Sequence, residues 1–224
     1  MTDMTFESAT KALFEYQMRN IFTAIPAKVM MVENAGEQRV SVKPLVNAVF
    51  PDWDDSEEFP TILSVPLMYP SSSSSAVVFP VHAGDTVLLV FAQSCMDVFK
   101  GGDGSAQPPS DYRRFDKRDA IAIPGLFPFG SAINQVSKHT LPHSTDDLVV
   151  FHNLGTSAEC ELRMKQSGKI EVNGSAVDIS STTSVDGNFI NTGSVTVGVG
   201  ATGSFTTPLG QIVTVSDGII TNII

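Results

Sequence analysis

From Ile170 to Ile224 the chain contains no Lys, Arg, Trp or Tyr, and only Glu171, Asp178, Asp186 and Asp217 carry charge. What remains is Gly, Ser, Thr, Asn and β-branched apolar residues, in short strand-like runs broken by glycine turns. Strands this short do not form a stable isolated sheet. With so few large side chains, one copy cannot bury enough apolar surface to offset the entropy of ordering. Such a segment must stack, either on repeats along its own chain or on identical neighbouring chains. It is too short and too irregularly spaced for a long single-chain solenoid. Three chains wrapped into a three-faced β-prism solve the burial problem, so a homotrimer is expected.

Within that segment Gly198, Gly200 and Gly203 spell G-x-G-x-x-G. A dinucleotide turn needs a helix after the glycines, whose N-terminus holds the phosphate. Here FTTPLGQIVTVSDG follows, rich in β-branched residues and broken by Pro208 and Gly210. No helix is expected there, so no cofactor is assigned; the glycines serve close chain approach and sharp turns.

Upstream the chain divides further. Residues 5 to 21 carry the one convincing helical pattern, with Phe6, Ala9, Leu13, Phe14, Met18 and Ile21 at three- and four-residue steps. From Ala27 the signal turns to strands: AKVMMVE, QRVSVKPLV, PTILSVPLMY, SAVVFPV, DTVLLVFA and DAIAIPG, separated by turn residues. Short strands with no helix between them favour a small Greek-key barrel. ECELRMK then alternates, with Cys160, Leu162 and Met164 on one side and Glu159, Glu161, Arg163 and Lys165 on the other. The reading is all-β: an N-terminal helical segment (1–25), an OB-fold-like barrel (26–150) and an intertwined trimeric β-helix (151–224).

The formal charge of −10 argues against broad nucleic-acid or anionic-membrane binding, which needs clustered cations. The N-terminus shows no signal-peptide pattern and no run is long enough to span a bilayer, so synthesis in a cytoplasm is expected. Cys95 and Cys160 are expected as unpaired thiols, Cys160 on the inward side of its strand.

Chemistry-bearing motifs are sparse. DWDDSEE (Asp52 to Glu58) lacks the order of a calcium loop and reads as a solvated turn. In HTLPH, Pro142 disrupts the helix that would bring His139 and His143 to one metal, so no metal is assigned. No nucleophile elbow or Cys–His motif is visible, and no catalytic residue is assigned. YRRFDKRD (Tyr112 to Asp119) is the one basic cluster with aromatics; its aspartates make it a salt-bridged loop rim, with single-stranded nucleic acid as the rival reading.

The stretch from Arg39 to about Phe129 resembles a known family. VPLMYPSSSSS, FPVHAGDTVLLVF and DKRDAIAIPGL, in that order, look like the N-terminal domain of phage cell-puncturing proteins, the central spikes under contractile-tail baseplates. The resemblance implies an OB-type barrel followed by a trimeric β-helix that narrows to a point. It also implies a non-enzymatic virion component of the tail baseplate, docked on a hub protein at its N-terminal end and piercing the host outer membrane at the other. The implied tip is Asp217, Gly218, Ile219, Ile220, Thr221, Asn222, Ile223 and Ile224. Well-known members hold iron on the axis through a His-x-His pair; no histidine lies beyond His152 here, so the metal is withdrawn. Apolar packing of Ile219, Ile220, Ile223 and Ile224 is expected to close the apex instead, with Asn222 hydrogen-bonding across it. An adhesive or carbohydrate-directed tail spike is the alternative of the same shape.

Overall fold

A computed structural model of the chain describes residues 5–49, 56–193, 202–216 and 218–224. Helix α1 (Phe6–Arg19) starts at Thr5, whose hydroxyl accepts from the Ser8 N–H. Glu7, Lys11, Glu15 and Arg19 follow at four-residue steps, an alternating-charge ladder on one side. None of its residues is buried, and Phe6 is 90% exposed.

The next unit is a curled five-stranded antiparallel sheet. Its strands are β1 (Ala24–Asn34), β2 (Arg39–Pro44), β5 (Ile62–Pro66), β6 (Thr86–Phe91) and β7 (Ala120–Pro124), in the order β5-β2-β1-β6-β7. A small ladder of β3 (Ala48–Val49) and β4 (Ser56–Glu57) lies between β2 and β5 in sequence. The edges approach each other where Leu67 bridges Ala122 and the Met68 N–H donates to the Ala122 carbonyl at 2.9 Å. Alternation decides the inside: Val87, Leu89 and Phe91 of β6 point into the curl with Val29, Val40, Val42 and Val65. Ala120 and Ala122 leave room for these larger side chains. Phe22 closes one end of the core, with ring contacts to Phe59 and Phe91.

Five of the six strand runs expected between residues 27 and 125 form strands of this sheet. SAVVFPV does not. Apart from the Ser71–Ala76 bridge it runs as irregular extended chain. Pro80 removes a ladder donor there, and the segment is tied down by the Tyr69 hydroxyl, which donates to the Phe79 carbonyl at 3.0 Å.

The β2–β5 pairing contains a bulge. Val40 faces Val65 and Val42 faces Ile62, so Leu63 and Ser64 together oppose Ser41. Ser64 adopts φ of 57°, a left-handed conformation that needs outside support. Glu33 supplies it: its carboxylate accepts from the Ser41 hydroxyl and from the Ser64 N–H at 2.9 Å and hydroxyl at 3.1 Å. These bonds, that from Ser41 foremost, hold the Glu33 carboxyl below its ordinary value.

A short helix, α2 (Asp97–Gly101), follows β6. Beyond β7 come two three-stranded antiparallel sheets. The first comprises β8 (Leu148–His152), β9 (Cys160–Met164) and β10 (Ile170–Asn173), with β9 central. The domain boundary expected at residue 150 falls inside β8. The second comprises β11 (Gly203–Thr206), β12 (Ile212–Ser216) and β13 (Ile219–Ile223), with β12 central. An intertwined prism is a property of several chains; the single chain shows two separate meanders. No helix among the described residues is long and apolar enough to cross a membrane.

Candidate functional site

The β8–β10 sheet has two chemically different sides. Register places Leu148 and Val150 beside Met164 and Leu162, which in turn pair with Ile170 and Val172. All six are exposed in the single chain, from 37% at Leu162 to 63% at Leu148 and Ile170. The other side carries Glu161, Arg163 and, just before β9, Glu159, all buried. The alternation of ECELRMK is therefore present with the opposite sign to that expected for Cys160. This thiol lies on the open apolar side, because the charged side is the one that residues 129–143 cover.

Burial of those charges rests on pairing. Glu159 accepts at Oε2 from the Thr140 N–H and hydroxyl, both at 2.7 Å, and from the Gly155 N–H at 3.0 Å. Gly155 sits at φ 71°, and a Cβ there would lie 2.9 Å from the Lys138 carbonyl oxygen, so only glycine fits. Arg163 pairs with Glu161 and donates to the Leu141 carbonyl at 3.3 Å, while Asn173 donates to Glu161 at 2.8 Å. Glu171 is held by Lys165 at 2.8 Å and Lys169 at 2.9 Å, which lower its carboxyl to about 2.

Burial pushes the Glu159 carboxyl up, but the Thr140, Gly155 and His139 hydrogen bonds outweigh it and bring it to about 2. A group with a depressed folded value stabilises above its ordinary value of 4.5 and loses that contribution as pH falls towards 2. The Thr140 and Gly155 amide resonances are thus expected to shift with a midpoint well below 4.5. A midpoint at 4.5 would show that the clamp does not form.

The tip residues fall at the β12–β13 hairpin. Asp217 lies outside the described residues, and Gly218 takes φ of 82° at the turn. Phe205, Val213 and Ile223 form one cross-strand row, and Val215 and Ile220 a second on the same side. Ser204, Thr214 and Asn222 form the row on the opposite side, where Ile219 pairs with Ser216. Register thus divides the terminal isoleucines between two faces. Phe205, Ile220, Ile223 and Ile224 are all more than half exposed. Thr221 is the extra residue of a bulge, and its hydroxyl donates to the Thr214 carbonyl at 3.3 Å. Ile212 and Ile224 exchange two backbone bonds of 2.7 and 3.0 Å, fastening the C-terminal end to the central strand. Of the G-x-G-x-x-G glycines, Gly198 and Gly200 lie outside the described residues; Gly203 opens β11.

The basic cluster is internally paired. Arg113 grips buried Asp119 through Nε at 2.7 Å and Nη2 at 2.9 Å, and also reaches Asp97 at 2.8 Å and Asp111 at 3.2 Å. Arg118 pairs with Asp116 at 2.8 Å. Cys95, Asp97 and Asp119 lie within 4.8 Å of one another, but Arg113 already neutralises both carboxylates, so the donor set is an ion-pair cluster rather than a cation cradle. Salt-bridging of the loop's aspartates agrees with the sequence reading, but the full burial of Asp119 was not expected from its position at the end of a charged loop. The available signal was the apolar AIAIP run directly after it, which draws Asp119 into the core.

Residues 25–125 match the family model for the phage protein Gp138 N-terminal domain. The match begins within β1 and ends just past β7, so it takes in the curled sheet and less than half of the chain. It supports a phage structural protein and a virion component. Curated proteins show no match to the chain.

Proposed function

We propose that the protein is the central spike of a contractile phage-tail baseplate, a homotrimer that pierces the host outer membrane with its C-terminal end. The observation that carries this reading is the open apolar face of the β8–β10 sheet, with the exposed Phe205, Ile220 and Ile223 around buried Val213 on the β11–β13 sheet, in a segment whose strands are too short to stand alone. Equivalent faces of three chains would cover one another and leave few free strand edges. The protein acts mechanically, with no catalytic step: tail contraction supplies the work and the stem transmits it. A stem without Lys or Arg beyond Lys169 has few ions to strip of water in hydrocarbon, where each costs at least ~2.5–3.5 kcal/mol. The exposed apolar side of α1 suits docking on the baseplate hub. Nucleic-acid binding draws little support from YRRFDKRD, since Arg113 and Arg118 are already engaged.

In light scattering the protein is expected at about 72 kDa, three times the 23.9 kDa chain, and it should resist SDS before boiling. A single-chain mass would overturn the stem. Labelled antibody on purified tails should mark the baseplate centre; label elsewhere on the tail would remove the spike assignment while leaving the trimer intact.

A further inference from the structure

His139 and His143 lie in the segment that covers the charged side of the β8–β10 sheet, their rings 4.4 Å apart at 87°. His139 has a fully buried side chain with Phe151 of β8 against it at 4.8 Å. Its Nδ1 lies 3.0 Å from Glu159 Oε1 and its Nε2 lies 3.1 Å from the Ile133 carbonyl oxygen. Both neighbours accept: the carbonyl has no proton, and Glu159 is held ionised by three donors from Thr140 and Gly155. A neutral ring has one N–H and would set its other lone pair against oxygen. Only the ring carrying both protons makes both bonds.

His143 is arranged differently. Its Nε2 donates to Asn134 Oδ1 at 2.9 Å, and its buried Nδ1 has no partner among the described residues. A proton there would create an unsatisfied buried donor and a second cation against His139. The remaining charged groups under this segment are committed elsewhere: Glu161 with Arg163, and Glu171 with Arg163, Lys165 and Lys169.

We propose that His139 and His143 form a one-proton latch, charged on His139 and neutral on His143, that fastens residues 129–143 to the charged side of the sheet. Loss of that proton removes one of the two ring bonds and leaves the buried Glu159 carboxylate without its cation. The covering segment then opens as pH rises. Because this segment joins the curled sheet to the first stem sheet, the latch makes that connection proton-sensitive.

The test is amide hydrogen exchange of residues 129–143 in the full-length protein across pH, corrected for intrinsic exchange, beside His139→Gln. In the native protein, opening should steepen towards about tenfold per pH unit, the slope of one linked proton. In His139→Gln, whose amide nitrogen reaches only one acceptor, that slope should vanish. A pH-independent native segment, or an unchanged slope in His139→Gln, overturns the latch. Should the variant not fold, imidazole nitrogen NMR of the native protein decides: protons on both His139 nitrogens and on Nε2 alone of His143 support it, and a singly protonated His139 refutes it.

Discussion

Replacing Arg113 with alanine is expected to destabilise the curled sheet by about 3–5 kcal/mol, the scale for breaking a buried ion pair from one side. Asp119 has a fully buried side chain and Arg113 one that is 10% exposed, so water cannot replace the lost partner cheaply. Without the guanidinium, the Met96 N–H at 2.8 Å is the remaining donor seen on the Asp119 carboxylate. The same change releases Asp97 and Asp111, and the loop between β6 and β7 loses its centre. Arg113→Lys should rescue little, because a lysine ammonium cannot reproduce the two-pronged grip through Nε and Nη2. Arg118→Ala, which breaks an exposed and solvent-screened pair, should cost far less than Arg113→Ala. Urea unfolding followed by circular dichroism measures all three. A loss below ~1 kcal/mol for Arg113→Ala would show that Asp119 does not depend on this pair.

Leu162→Lys is expected to convert the assembly from about 72 kDa to single chains near 24 kDa, read by light scattering. Leu162 sits in the central strand of the first stem sheet, on its apolar side, and is already 37% exposed in the single chain. A lysine there disturbs little packing within one chain, so its effect falls on the association of chains. In the proposed trimer it would place an ammonium from every chain in a seam built from Leu148, Val150, Met164, Ile170 and Val172. Tyr112→Lys is the control: Tyr112 is 99% exposed on a barrel loop, and its replacement should leave the mass unchanged. An unchanged 72 kDa for Leu162→Lys would mean that this face is not where the chains meet.

Most of the curled sheet was legible because its strands alternate and are punctuated by turn residues. The buried set Val87, Leu89 and Phe91 can be read from TVLLVF as every second position. SAVVFPV misled because its composition is strand-like, whereas Pro80 and the packing of Phe79 on Tyr69 decide its path. The polar clamp was not legible. HTLPH pointed away from any shared site, since Pro142 breaks the helix, yet an irregular segment brings the two rings together without one.

ECELRMK marks the division between pattern and packing. Residue order alone is enough to specify a strand there, its two-residue period and the chemical contrast between its sides, because successive side chains in extended backbone point opposite ways. The same holds for the uncharged, short-stranded segment after Ile170 and its need for covering partners. Periodicity carries no sign, however. Whether Glu159, Glu161 and Arg163 or Cys160, Leu162 and Met164 are covered within the chain depends on which groups the distant residues 129–143 bring to them. Those residues offer the Thr140 hydroxyl and N–H, the His139 ring and the Leu141 carbonyl, which satisfy charges that an apolar cover would strand. Long-range hydrogen bonding thus turns the charged side inward and leaves the apolar side open.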